Sequence, residues 1–136
     1  MTFAVALVAL LVGHQLGDHV FQTDSQANEK ASAGRAGAVA LARHLFGYHL
    51  TATVVLVGTA AVLGLPLSVA GVAAEWRSPP RRTASSTGAG RCALLRATGS
   101  AGFAELTTPV CGMYAADQAL HQGALLVSAL LVAGLA

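Results

Sequence analysis

His14 and Asp18 stand four residues apart, and Asp117 and His121 repeat the pairing in reverse order. At that spacing the two side chains of each pair share one face of a helix. His44 and His49 are five apart. Around a helix they point about 140° away from each other, so they address one spot only if the helix is locally irregular. Imidazole and carboxylate together suit a divalent ion such as Zn, Mn or Fe. The candidate metal ligands are therefore His14, Asp18, His44, His49, Asp117 and His121, and His14, Asp18, Asp117 and His121 are expected to converge.

Three function classes follow from that chemistry. One is a divalent-metal binder. The second is a metal-dependent hydrolase, with a metal-bound water as nucleophile and a carboxylate as base. The third is a structural or partner-binding protein whose His–Asp pairs hold helices together, at under ~1 kcal/mol per interhelical bond in a bilayer. No serine stands in a nucleophile elbow, and no glycine loop has phosphate-binding spacing.

The elements that must position these residues read as membrane helices. Of the 136 residues, 54% are hydrophobic and 10% charged, with mean hydropathy +0.62. A water-facing surface needs roughly 25% charged residues, so the expected solvent is lipid. Four segments are candidates: about 2–21, about 36–64, PLSVAGVAAEW at 66–76, and about 108–136. The third is too short, because a helix rises ~1.5 Å per residue against a ~30 Å hydrocarbon core. Pro66 fits the turn after the second segment and Pro109 the first turn of the fourth. The expected fold is an all-α integral membrane bundle of three to four transmembrane helices, the third short or disrupted, forming one domain over 1–136.

Charge placement orients the bundle. Lys30 and Arg35 mark one loop; Arg77, Arg81, Arg82, Arg91 and Arg96 mark a basic loop or linker at 77–100; the Gly64–Leu65–Pro66 turn has no basic residue. The positive-inside tendency puts both basic loops in the cytoplasm and both termini outside, which needs four crossings; if the short third segment does not span, the C-terminus moves to the other side. With aromatics at 5% and apolar flanks, the arginines read as loop charge, and no nucleic-acid partner is expected. The expected partners are the lipid bilayer and a second copy or another membrane protein. Cys92 and Cys111 form no CxxC, and the apolar context of Cys111 predicts a small packed residue.

GHQLGDHVFQTDSQANEK at 13–30, RHLFGYH at 43–49 and AADQALHQ at 115–122 together resemble Domain of Unknown Function 3307, a family of small bacterial and phage membrane proteins. The resemblance implies residence in the bacterial cytoplasmic membrane and brings no reaction with it. It marks His14, Asp18, Gln22, Asp24, Lys30, His44, His49, Asp117, Gln118 and His121 as the family's polar positions.

One feature of the family pattern is missing. Members carry a third polar helix of the type T-H-x-x-x-D-R-R, where this chain has RTASSTGAG at 82–90. Joining the last base of each codon to the first two of the next permits H-G-V-I-D-R-R-W across that stretch. The linker thus reads as a frameshifted third helix, with the frame restored before Leu94. The coding DNA checks this: the shifted frame should spell that His and Asp, and codons that do not will end the idea.

Overall fold

A computed structural model describes residues 1–21, 34–77, 95–107 and 111–135. The described regular structure is all helical: α1 is Phe3–His19, α2 Gly34–Val62, α3 Val69–Arg77, α4 Ala101–Ala104 and α5 Gly112–Gly134. Gln22, Asp24, Lys30, Pro109 and the linker at 78–94 lie outside the described residues. The chain divides into two compact units, Met1–Ser78 with Leu125–Ala136, and Pro79–Ala124. α5 contributes residues to both.

In the first unit, α1 and α2 meet along small residues. The buried face of α1 is Ala6, Ala9, Leu10, Gly13, His14 and Gly17. On α2 it is Gly37, Ala40, His44, His49, Ala52, Leu56 and Ala60. A Cβ on Gly13 would lie 2.7 Å from the Ala52 Cα, and one on Gly17 would lie 3.3 Å from the Tyr48 Cα. The two backbones can approach this closely because neither glycine has a side chain, the small-xxx-small device of apolar helix pairs. Leu10, Leu56, Leu125 and Val132 fill the rest of the core, the last two from the C-terminal half of α5.

The end of α2 and the start of α3 are set by local chemistry. Gly64 takes φ +61°, and the N–H groups of Gly64 and Leu65 donate to the carbonyls of Ala61 and Ala60 at 3.3 and 2.9 Å. This is a Schellman ending, which satisfies carbonyls the helix would leave orphaned and favours glycine. Pro66 then prevents the helix from resuming. Ser68 caps α3: its Oγ accepts from the Gly71 N–H at 3.0 Å. Gly71 in turn lets α3 pack on α5, since a Cβ there would meet the Val132 Cα and carbonyl oxygen at 3.3 Å.

Helix lengths refine the expected bundle. Among the described residues, α2 alone is both long and apolar enough to cross a membrane. Its 29 residues give a rise of ~43 Å, beyond the ~30 Å hydrocarbon core. α1, at 17 residues, rises ~26 Å and falls a little short. α3, at nine, is too short, as the sequence implies. α5 has 23 residues, but Asp117, Gln118 and His121 make its first half polar. Cys111 is exposed, not packed as its apolar neighbours predict, because it immediately precedes the first turn of α5.

Two glycine substitutions should have opposite signs. Gly13→Ala forces a methyl against the Ala52 backbone and should destabilise the protein by about 1–3 kcal/mol, as overpacking does. Gly58 is a helical glycine with nothing within 4 Å of its Cβ position, so Gly58→Ala should be neutral or gain about 0.5–1 kcal/mol. Thermal or denaturant unfolding in one detergent compares the pair.

Candidate metal centre

The close approach at Gly13 and Gly17 brings the polar turn of α1 against α2. His14 and Asp18 lie one helical turn apart, with Nδ1 and Oδ2 separated by 3.5 Å. The other carboxylate oxygen of Asp18 faces α2, where the His44 Nε2 stands 3.3 Å from Oδ1. Asp18 therefore lies between two imidazoles, one from its own helix and one from the neighbour. The His14 side chain is fully buried, and those of Asp18 and His44 are less than a tenth exposed.

Tyr48, one turn beyond His44, closes this cluster from the side. Its ring meets His14 edge-on at 5.6 Å and is tilted against His44 at 6.3 Å. Because its Cα lies beside Gly17, the contact that brings the helices together also seats the tyrosine.

His49 faces another way, as its five-residue offset from His44 predicts. Its Nδ1 is 2.7 Å from the Glu75 Oε1, and both residues are buried. The Trp76 ring stacks on the His49 ring at 5.4 Å and 29°, and its Nε1–H donates to the Thr53 Oγ1 at 2.8 Å. Phe46 meets Trp76 edge-on at 6.0 Å. α3, although too short to span, thus delivers a carboxylate and an aromatic lid to the second polar face of α2.

The two groups differ in their spacing. At 2.7 Å the His49–Glu75 contact has the length of a strong charge-assisted hydrogen bond. The two Asp18 separations are longer than the usual N–H···O range. His14 and Asp18 offer donor atoms close enough to share a metal ion, whereas His49 has Nδ1 against Glu75.

Asp117 and His121 lie on the part of α5 that belongs to the second unit. They are four apart on one helix and both half-buried. His19 is exposed, with Nδ1 3.3 Å from the Gln15 carbonyl oxygen, and its ring meets His14 edge-on at 6.3 Å.

Sequence reading missed Glu75, Tyr48 and Trp76. For Glu75 a signal was present: it is the one charged residue between Arg43 and Arg77, and an isolated carboxylate in an apolar stretch marks a partner nearby. Tyr48 had no comparable signal, because its place follows from the glycines opposite.

No curated protein and no solved structure matches the chain. The sequence model of one family, described as protein of unknown function (DUF3307), matches residues 6–73. The match takes in the α1 motif and the histidine-bearing part of α2. It ends two residues before Glu75 and leaves AADQALHQ outside. With half of its length matched, including His14, Asp18, His44 and His49, the chain belongs to the DUF3307 family.

Proposed function

We propose that this is an integral membrane protein that holds a divalent metal ion, Zn, Mn or Fe, between α1 and α2. His14 and Asp18 are its first ligands, and the remaining donors come from the set read in the sequence, His44, His49, Asp117 and His121. The observation that carries the reading is the Asp18 carboxylate set between two buried imidazoles at 3.3 and 3.5 Å. A solitary buried ion pair needs one partner per carboxylate, whereas this arrangement gives one carboxylate an imidazole at each oxygen. Two imidazoles and a carboxylate are a common donor set for zinc and for redox-active iron.

The membrane part of the reading rests on an inside-out distribution of side chains. Polar His14, Glu75 and Ser128 are at most 4% exposed, while apolar Val54, Val62 and Val69 are 62%, 86% and 86% exposed. Water reverses that preference, and lipid tolerates it. Val8, Val12, Leu126, Val127, Leu130 and Leu131 are likewise exposed and would face acyl chains. In the full arrangement α2 spans, α1 and the apolar half of α5 accompany it, the loop with Lys30 and Arg35 lies in the cytoplasm and the N-terminus lies outside. A second copy is a natural neighbour for apolar surface of this extent.

The test is the metal content and zinc affinity of purified protein in detergent. His14→Ala, Asp18→Ala and His44→Ala should each weaken zinc binding by at least about 100-fold, more than the usual loss of an outer partner. His19→Ala should leave it unchanged. Ligands must shed protons to bind, so affinity should fall as the pH is lowered. The ligand set read from the sequence also contains Asp117 and His121, so Asp117→Ala and His121→Ala belong in the same series. Wild-type zinc binding in His14→Ala and Asp18→Ala would remove this site.

A further inference from the structure

α2 is longer than a bilayer needs, and its arginines decide which part of it lies in lipid. Apart from histidine, Arg35 and Arg43 are its charged residues, and both are exposed. An exposed arginine is costly in hydrocarbon, so the hydrocarbon begins after Arg43. From His44 to Val62 the helix rises ~28 Å, enough to fill a ~30 Å core. Arg43 then stands at the boundary on the side of the basic loop, with the turns before it among headgroups and water.

Adjacent residues turn opposite ways at this boundary. His44 is buried and meets Asp18. Arg43 is exposed, and its guanidinium has no hydrogen bond or ion pair among the described residues. Phe46 and Leu50, three and seven residues further on, share its face of α2 and are 60% and 45% exposed. The Trp76 ring meets Phe46 edge-on at 6.0 Å, is 39% exposed, and is anchored by its bond to Thr53. α2 and α3 together place a cation at the bilayer boundary and an apolar, largely aromatic ledge just inside it.

Charge first and apolar surface beneath is also the order of a phospholipid, with the sign of the head reversed. A guanidinium offers paired N–H donors that match phosphate oxygens. A zwitterionic headgroup brings an ammonium that competes with the arginine; an anionic headgroup does not. Basic side chains on the cytoplasmic side of a membrane attract anionic lipid for this reason. We propose that Arg43, Phe46, Leu50 and Trp76 form a contact site for one anionic phospholipid of the cytoplasmic leaflet. Its phosphate sits on the Arg43 guanidinium and its acyl chain lies along the ledge. The site rests on the membrane reading above and is independent of the metal.

The experiment places the photoreactive residue benzoylphenylalanine at position 46 of the full chain, in vesicles of equal parts phosphatidylglycerol and phosphatidylcholine. The mass of the adduct formed on illumination identifies what lies against the ledge. Phosphatidylglycerol adducts should outnumber phosphatidylcholine adducts about fivefold, the worth of one basic side chain at an anionic surface. Arg43→Gln should bring the ratio to about one, and Arg35→Gln should leave it unchanged. A ratio near one before either substitution, or a preference that survives Arg43→Gln, overturns the proposal. A ratio lost equally in Arg35→Gln also overturns it, because the attraction is then diffuse. Adducts to a second copy of the chain in place of lipid overturn it too, and make the face a seam between copies. Flotation with the vesicles tests the membrane reading separately: protein that stays behind ends that reading and the lipid site with it.

Discussion

The contact between α1 and α2 at Gly13 and Gly17 governs what this molecule can do. With a Cβ at either position, the Ala52 and Tyr48 backbones would have to retreat. A retreat of even an ångström matters more to Asp18 than to the apolar core. Leu10 and Leu56 can repack over such a distance, but Asp18 must reach the imidazole of another helix with a side chain of two rotatable bonds. The close approach of the helices thus constrains both the apolar packing and the polar cluster.

α2 is the shared component. It presents His44 to α1 and His49 to α3, with Tyr48 touching both imidazoles. Because the offset is five residues rather than four, the two histidines cannot serve one spot, and the helix becomes a partition between two polar environments. One holds the Asp18 carboxylate between two imidazoles and the other is closed by a hydrogen bond. The same residue types thus meet carboxylates at 3.3 and 3.5 Å in one environment and at 2.7 Å in the other.

Much of this was legible in the sequence, and the boundary of legibility has a physical cause. The His14–Asp18 pairing follows from helical periodicity, and the divergence of His44 and His49 follows from the same arithmetic. The end of α2 was marked by Gly64–Leu65–Pro66. Glu75 escaped because the segment that carries it was judged on its length as a span, and a helix too short to cross a bilayer can still cover one face of a longer neighbour. Tyr48 escaped because its position is set by what is absent from Gly17, and a missing side chain has no hydropathy. The exposure of Cys111 reflects its place ahead of a helix rather than its neighbours in the chain.

The stacking of Trp76 on His49 has a practical consequence. It is the single tryptophan of the chain, and its ring is held between α2 and α3 by the Thr53 bond and the His49 face. The protein therefore contains its own optical gauge of that junction. Indole emission responds to a neighbouring imidazole and to the polarity around the ring, so a separation of α3 from α2 would change the signal in unlabelled protein.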